Sequence, residues 1–188
     1  MPYSLSDSDG RSNVIEISGS APAPTPPDPN SCVGKSVNDE CRGGIIFETD
    51  GVNGLIVSNT NVPDNSTVLE WGCSGTSISG AQSDTDGAAN TAAIVAGCND
   101  TPIAAKACNN YSVTSGGMTY DNWYLPAKNE LAVLYTKRTQ SNINITSGFY
   151  WSSTEFDEFG AWFQSFSNSN PFSNLKGVAY DVRCIQAF

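Results

Sequence analysis

Apolar positions along this chain change period from one segment to the next. Gly44-Ile45-Ile46-Phe47-Glu48 and Leu55-Ile56-Val57-Ser58 are short runs rich in β-branched residues, and Asp50-Gly51 and Asn53-Gly54 between them supply turn residues. That pattern predicts a β-hairpin. Val68 to Trp71 predicts another strand, followed by a Gly- and Ser-rich loop to Gly87. Ala88 to Ala96 then turns helical, with Ser83 or Asp86 near its start and Gly97 past its end. Thr101-Pro102 predicts a second short helix through Cys108 with proline at the first helical position. A loop containing Gly116-Gly117 leads into Asn122 to Pro126, a strand end, and then a helix from Ala127 to about Arg138. Leu131, Leu134 and Tyr135 share one face of that helix, and Lys137 and Arg138 occupy its last turn, where cations suit the dipole. Strand signals return at Tyr150 to Ser153, Ala161 to Phe166 and Tyr180 to Ile185. A strand hairpin, then helices, then strands is an α+β layout, with helices over one face of a mainly antiparallel sheet.

The final forty residues, Phe149 to Phe188, carry 11 of the chain's 19 aromatics. Between Phe156 and Asp181 they keep no clean period of 2 or 3.6, yet they hold too much Phe for a solvated linker. Aromatics without a packing period point to a display surface. Inside Ala161 to Phe166, alternation sends Trp162, Gln164 and Phe166 one way and Phe163 and Ser165 the other. Trp162 and Phe166 are expected inside, and Phe163 outside.

With 188 residues the chain has room for one domain with a real core, plus a tail. The tail is residues 1–31: Val14 to Ser18 predicts one short strand, and Ala21 to Pro29 holds five prolines, a stiff spacer. The strand packs on a subunit or on the domain's own edge, or else the tail is a disordered link. The domain spans 32–188. Net charge is −10, pI about 4.2, and histidine is absent. Such an acidic body is a poor partner for phosphate backbones and anionic membranes, and the commonest general base and zinc ligand are missing. No window is long and apolar enough to insert in a membrane, and the first residues lack the pattern of a signal peptide.

Cys32, Cys41, Cys73, Cys98, Cys108 and Cys184 form no C-x-x-C. An even count with two close pairs favours disulfides, 32 with 41 and 98 with 108, which leaves 73 for 184, one of many possible connectivities. Disulfides imply an extracellular, cell-surface or virion setting, against the alternative of six thiols in a cytosolic protein. Asp84 with Asp86, and Asp121 with Asn122, supply too few oxygens for calcium, so no metal or cofactor is expected.

Gly43-Gly44-Ile45-Ile46-Phe47, Trp71-Gly72-Cys73, Asn90 to Val95, Trp123-Tyr124-Leu125-Pro126-Ala127-Lys128-Asn129-Glu130-Leu131, Tyr150-Trp151-Ser152-Ser153-Thr154-Glu155, Ala161-Trp162 and Val182-Arg183-Cys184 occur in one order. Together they resemble the C-terminal domains of collagen-like adhesins, a branch of the C-type-lectin-like fold related to formylglycine-generating enzymes. The resemblance spans roughly residues 43 to 188. It implies two main helices bracing a small twisted sheet whose late strands and loops form the ligand face of a non-enzymatic binding module, with no catalytic residues. The Glu-Pro-Asn calcium site of sugar-binding lectins and the reactive cysteine pair of the oxidases have no match here.

The last forty residues also resemble the variable region of proteins diversified by retroelements that mutate template adenines, where Asn codons are the main targets. Such changes yield Phe, Ser, Tyr, Leu, Pro, Val, Ala, Gly and Asp, but not Trp, Gln, Lys or Glu. A variable region at about 156–181 then has as its reachable positions Phe156, Asp157, Phe159, Phe163, Ser165, Ser167, Phe172, Ser173, Leu175, Gly177, Val178, Ala179, Tyr180 and Asp181. Trp162, Gln164 and Lys176 are assigned to the scaffold. Glu155 and Arg183 flank the stretch as framework residues, and if buried each needs a partner. Aromatic anchors with Ser, Gly and Asn around them suit a surface that meets many partners. The resemblance implies a protein or glycan receptor as partner. The alternatives are a fixed glycan-binding adhesin and a relative of the formylglycine-generating enzymes. Replacing Phe159, Phe163, Phe172 and Tyr180 by Ala is expected to abolish binding with little loss of stability.

Overall fold

The computed structural model describes residues 31–188 apart from Asn144, Thr146 and Ser169, so the strand expected at Val14 to Ser18 and the proline spacer lie outside the described residues. In chain order the elements are β1 (Glu40–Cys41), β2 (Gly44–Thr49), β3 (Gly54–Ser58), β4 (Leu69–Glu70), α1 (Gly87–Gly97) and α2 (Ala104–Asn109). Then come β5 (Val113–Ser115), β6 (Met118–Tyr120), α3 (Lys128–Thr136), β7 (Phe149–Glu155), β8 (Gly160–Ser165), β9 (Pro171–Leu175), β10 (Ala179–Tyr180) and β11 (Ile185–Ala187). All strand pairs are antiparallel, in small sheets ordered β1-β2-β3-β11, β7-β8-β9, β10-β4 and β5-β6. The architecture is α+β and C-type-lectin-like, with the chain's last strand returning to lie beside the first hairpin.

The β2–β3 hairpin forms where the turn chemistry placed it. Asp50 accepts hydrogen bonds from the Val52 and Asn53 amides at 2.8 and 2.7 Å, and Gly51 takes a φ of +95° that a side chain would resist. Both faces of this hairpin are buried, which explains its continuous apolar runs. Ile46 and Ile56 join a core with Trp71, Ile94, Leu125 and Trp151; Ile45, Phe47 and Val57 join a second with Leu131, Leu134, Tyr150 and Phe166. Successive side chains of a strand point to opposite faces, so β2 and β3 belong to both cores and β7 divides Tyr150 from Trp151 in the same way.

α1 begins at Asp86, whose carboxylate accepts from the Ala89 amide at 2.9 Å, as an N-cap should. Its buried Asn90 donates to the Ser83 carbonyl at 2.7 Å and to Ser153 Oγ at 3.2 Å, tying the helix to β7. α3 is fixed at its start by Glu130. That carboxylate accepts from the Ala127 and Gly87 amides at 2.7 and 3.1 Å and from the Tyr124 hydroxyl at 3.2 Å, so the N-termini of α1 and α3 share one acceptor.

α3 ends at Thr136, so Lys137 and Arg138 follow the helix and do not occupy its last turn, and the expected strand Tyr180 to Ile185 is split into β10 and β11. Three further details depart from the sequence expectations. First, the disulfides are Cys32–Cys41, Cys73–Cys98 and Cys108–Cys184, so only the first was foreseen. Proximity in sequence misled, because the other two close cysteines sit on different helices. Cys98, at the end of α1, faces the Gly72-Cys73 turn after β4, while Cys108, inside α2, reaches the residue before β11. Second, α2 starts at Ala104 and leaves Pro102 outside the helix after a cis peptide bond, since Ile103 is drawn into a bridge with Glu70. Third, Gly116 and Gly117 make a tight hairpin, not a plain loop: both have positive φ, and Val113 pairs with Tyr120 across them.

Candidate functional site

The face in question is built on β7, β8 and β9. Trp151, Phe163 and Phe172 are register partners across the three strands, and Phe149 lies opposite Ser165 on the same side. Phe163 is the hub of this side. Its ring meets Phe149, Trp151, Phe172 and Tyr180 at centroid distances of 5.7, 6.1, 5.8 and 4.7 Å. It is only 7% exposed, which corrects the expectation that it points outward. Alternation did put Phe163 on the face away from α3; but Phe149, Phe172 and Tyr180 close over it. Phe166 is inside as expected, and Trp162 is half-buried, its ring under Lys128 Nζ at 4.6 Å and beside Phe156 at 5.3 Å.

A second group sits at the β7–β8 turn. Phe156, Asp157, Phe159, Gly160, Ser173, Asn174 and Leu175 line a shallow groove of about 270 Å³. Phe156, Phe159, Phe172 and Leu175 are 53, 51, 42 and 60% exposed, a concentration of open apolar surface. Asp157 shapes the turn: its carboxylate accepts from the Phe159 and Gly160 amides at 2.8 and 2.6 Å.

Beneath both groups lies a buried ion pair. Lys176 Nζ stands 2.6 Å from Glu155 Oε1, with side chains 0 and 2% exposed. Lys176 also donates to the Thr76 carbonyl at 2.8 Å and sits over the Trp71 ring. Glu155 accepts further from the Ile78 amide at 2.8 Å, Ser77 Oγ at 3.1 Å and Gln82 Nε2 at 2.5 Å. A buried charge pair repays its desolvation only with such extra bonds, and here every strong acceptor site of Glu155 is used. The two tryptophans lock the same region: Trp71 Nε1 donates to the Ser152 carbonyl and Trp151 Nε1 to the Leu69 carbonyl, each at 3.0 Å. Gln164, 1% exposed, donates to the Ser165 carbonyl at 3.0 Å and the Asn168 carbonyl at 3.3 Å, holding the β8–β9 turn.

The model for the Lcl C-terminal domain matches residues 60–186, which takes in everything from the end of the first hairpin to β11. The chain belongs to the Lcl C-terminal domain family. This is a family of C-type-lectin-like binding domains. No curated protein matches the chain. In this Lcl-type domain the groove and the aromatic patch lie on the two faces of β7–β9, and the Glu155–Lys176 pair of the framework is buried.

The residues singled out from the sequence fall into four sets. Phe156, Asp157, Phe159, Ser173 and Leu175 meet at the groove, while Phe163, Phe172 and Tyr180 form the adjoining aromatic patch. Gly177, Val178 and Ala179 make the turn into β10, where the Val178 amide donates to the Leu175 carbonyl at 3.0 Å. Ser165, Ser167 and Asp181 stand apart. Ser165 is buried, with its hydroxyl unpartnered among the described residues, and Ser167 is exposed in the β8–β9 turn. Asp181 accepts from Asn61 Nδ2 at 2.9 Å on the other side of the chain from Tyr180, and burial pushes its carboxyl above the usual aspartate range. Two residues were missed. Phe149, 48% exposed, extends the aromatic patch, and Asn174 donates to the Tyr180 hydroxyl at 2.7 Å. Extending the alternation of β7 by one residue, two before Trp151, would have found Phe149.

Arg183 is buried as a framework residue with a backbone carbonyl for a partner and, among the described residues, no ion pair. It is 6% exposed and donates to the Ile143 carbonyl at 3.4 Å, and burial lowers its basicity while the neighbouring Tyr150 and Tyr111 oppose that shift. Cys73, Cys98 and Asp100 cluster as metal ligands would, but the two sulfurs are bonded to each other and Asp100 accepts from the Cys73 amide at 2.6 Å. Among the described residues no helix is long and apolar enough to cross a membrane, and three disulfides suit an oxidising compartment.

Proposed function

We propose that this chain is a receptor-binding protein whose variable region, about residues 156–181, is diversified by a retroelement. Its ligand face is the groove and aromatic patch of β7–β9, a rigid frame carrying exchangeable side chains. One observation carries the reading. Trp162, Gln164 and Lys176, three of the four residues in the stretch that adenine mutation of Asn codons does not yield, serve the frame: Lys176 under the groove, Gln164 in the turn, Trp162 against α3 and Lys128; the fourth, Glu158, is exposed in the β7–β8 turn. Phe156, Phe159, Phe172 and Leu175, which such mutation does yield, are the large apolar residues of this region left open. Affinity then rests on a few aromatic anchors over a fixed floor.

The partner is a protein or glycan receptor outside the cell, met from a cell surface or a virion; the three disulfides support that setting. A fixed adhesin for sulfated glycans is disfavoured, because the two cations of the stretch, Lys176 and Arg183, are both buried. An oxidase relative would need a reactive thiol pair, and all six cysteines are bonded. The test is the DNA beside the coding sequence. A near-copy of the codons for 150–185, with adenines at the exposed positions and a reverse transcriptase nearby, is expected; a locus with neither contradicts the diversification.

A further inference from the structure

β9 is the outer strand of its sheet, and among the described residues no strand pairs with its outer edge. Hydrogen-bonded partners across β8 and β9 follow from two fixed bonds: the Lys176 amide donates to the Phe159 carbonyl at 2.9 Å, and on the other side of β8 the Phe166 amide donates to the Gly148 carbonyl at 2.9 Å. In an antiparallel ladder these alternate. Ala161 with Asn174 and Phe163 with Phe172 are therefore the bonded pairs, and Pro171, Ser173 and Leu175 turn their backbone groups outward. Leu175 is already engaged at both: its amide donates to Asn174 Oδ1 at 2.8 Å, and its carbonyl accepts from the Val178 amide. Pro171 has no amide hydrogen. The exposed Ser173 alone offers a free N–H and a free C=O together.

Open edges are templates for another strand unless charge, proline, shortness, a bulge or a covering element blocks them, and the one proline of β9 stands at its first residue. β9 contains no charged residue, and its register with β8 is unbroken. On either side of this edge stand the two apolar groups described above. Phe172 and the Phe163 patch are on one face, Leu175 and the Phe156–Phe159 groove on the other. A strand laid along Ser173 would place its alternate side chains on these two groups.

From this geometry we infer that the ligand face captures an extended segment of a protein partner by strand addition to β9. The inference rests on the ligand face proposed above and names its mode. Ser173 supplies two backbone hydrogen bonds and Pro171 one acceptor. These bonds do not depend on any side chain of the variable region, so they stay constant while the flanking residues set which segment fits. The acidic turn Asp157-Glu158 beside the groove favours a basic residue in that segment.

The probe is a random dodecapeptide display library selected on the full chain, with synthetic copies of the selected peptides titrated by calorimetry. Ser173→Pro removes the free N–H at an edge position that tolerates proline; Ser173→Ala keeps it. Affinity is expected to fall roughly tenfold on S173P and less than about twofold on S173A. Methylating the peptide's own backbone nitrogens checks the same bonds without altering the protein, and every second position is expected to be sensitive. Peptides that ignore both S173P and N-methylation but lose affinity on Phe172→Ala overturn strand addition and leave the ligand face standing. A library that yields none overturns strand addition and leaves the ligand face to a glycan; peptides indifferent to Phe172→Ala as well overturn both. Dimerisation of the wild type in sedimentation that S173P abolishes would assign the edge to a second copy of the chain and overturn the partner-protein inference.

Discussion

Lys176 and Leu175 are neighbours in the chain, yet one is fully buried and the other is 60% exposed. The same contrast recurs between Glu155 and Phe156, where a buried carboxylate with four donors precedes an open aromatic ring. The frame and the face of this domain are therefore interleaved residue by residue. A surface can change its side chains freely only if the backbone under them is held by something that does not change. Here the anchors are buried polar bonds from β4, the loop before α1 and the start of α3, all outside the variable stretch. An aromatic-rich segment that looked uniform is a set of gaps between fixed points.

If that contrast is right, the heaviest penalties come from the anchors. Lys176→Ala leaves Glu155 charged and unpaired in the interior, and a loss of about 3–5 kcal/mol is expected in chemical denaturation. The double change Glu155→Gln with Lys176→Met should recover a large part of it; a single-variant loss as small as that of a surface substitution would break the comparison.

Phe163→Ala comes next, at about 3 kcal/mol, because it removes the ring on which four others rest. This revises the sequence expectation, in which Phe163 and Tyr180 belonged with Phe159 and Phe172 as residues removable at little cost. Tyr180 is half-buried, packs on Trp151 and Phe163, and pairs through β10 with β4.

A pH titration gives an intermediate effect on the frame alone. Burial raises the Glu130 carboxyl above its ordinary range, so the folded state holds that proton more tightly than the unfolded chain. Its contribution is then full below the ordinary glutamate pKa and is lost as pH rises through the raised value. Between about pH 4 and pH 7, wild-type stability should decline relative to Glu130→Gln, measured by urea midpoints. A difference that grows in the opposite direction would mean the carboxylate is favoured by its three donors more than burial disfavours it.

The smallest effects belong to the face. Phe156→Ala, Phe159→Ala, Phe172→Ala and Leu175→Ala are each expected to shift unfolding by about 0.5 kcal/mol or less. Each should still weaken peptides selected on the wild type at least tenfold if it serves as an anchor.

Much of this was legible in the sequence. The first hairpin announced itself through Asp50-Gly51 and Asn53-Gly54, α1 through its cap and α3 through its apolar spacing. The scaffold role of Lys176 and Gln164 followed from the resemblance. What was not legible has a common cause, which is that it depends on elements far apart in the chain. Cys73 meets Cys98 and Cys108 meets Cys184 because of where α1 and α2 lie, and no spacing encodes that. Pro102 reads as a helix start until Ile103 bridges Glu70. β9 has no alternation of burial to find, since most of its five residues face water. Phe163 reads as outward because alternation fixes only the side of the sheet; the rings that cover that side come from β7, β9 and β10.

The central claim is that a fixed frame carries exchangeable side chains, and it can be measured in one display experiment. Phe156, Asp157, Phe159, Phe172, Ser173 and Leu175 are randomised together in one library, and Trp151, Glu155, Trp162, Gln164 and Lys176 in another, with protease resistance as the readout of folding. The first library should remain largely folded and the second largely unfolded. Equal survival of the two, or a first library as fragile as the second, would contradict the account.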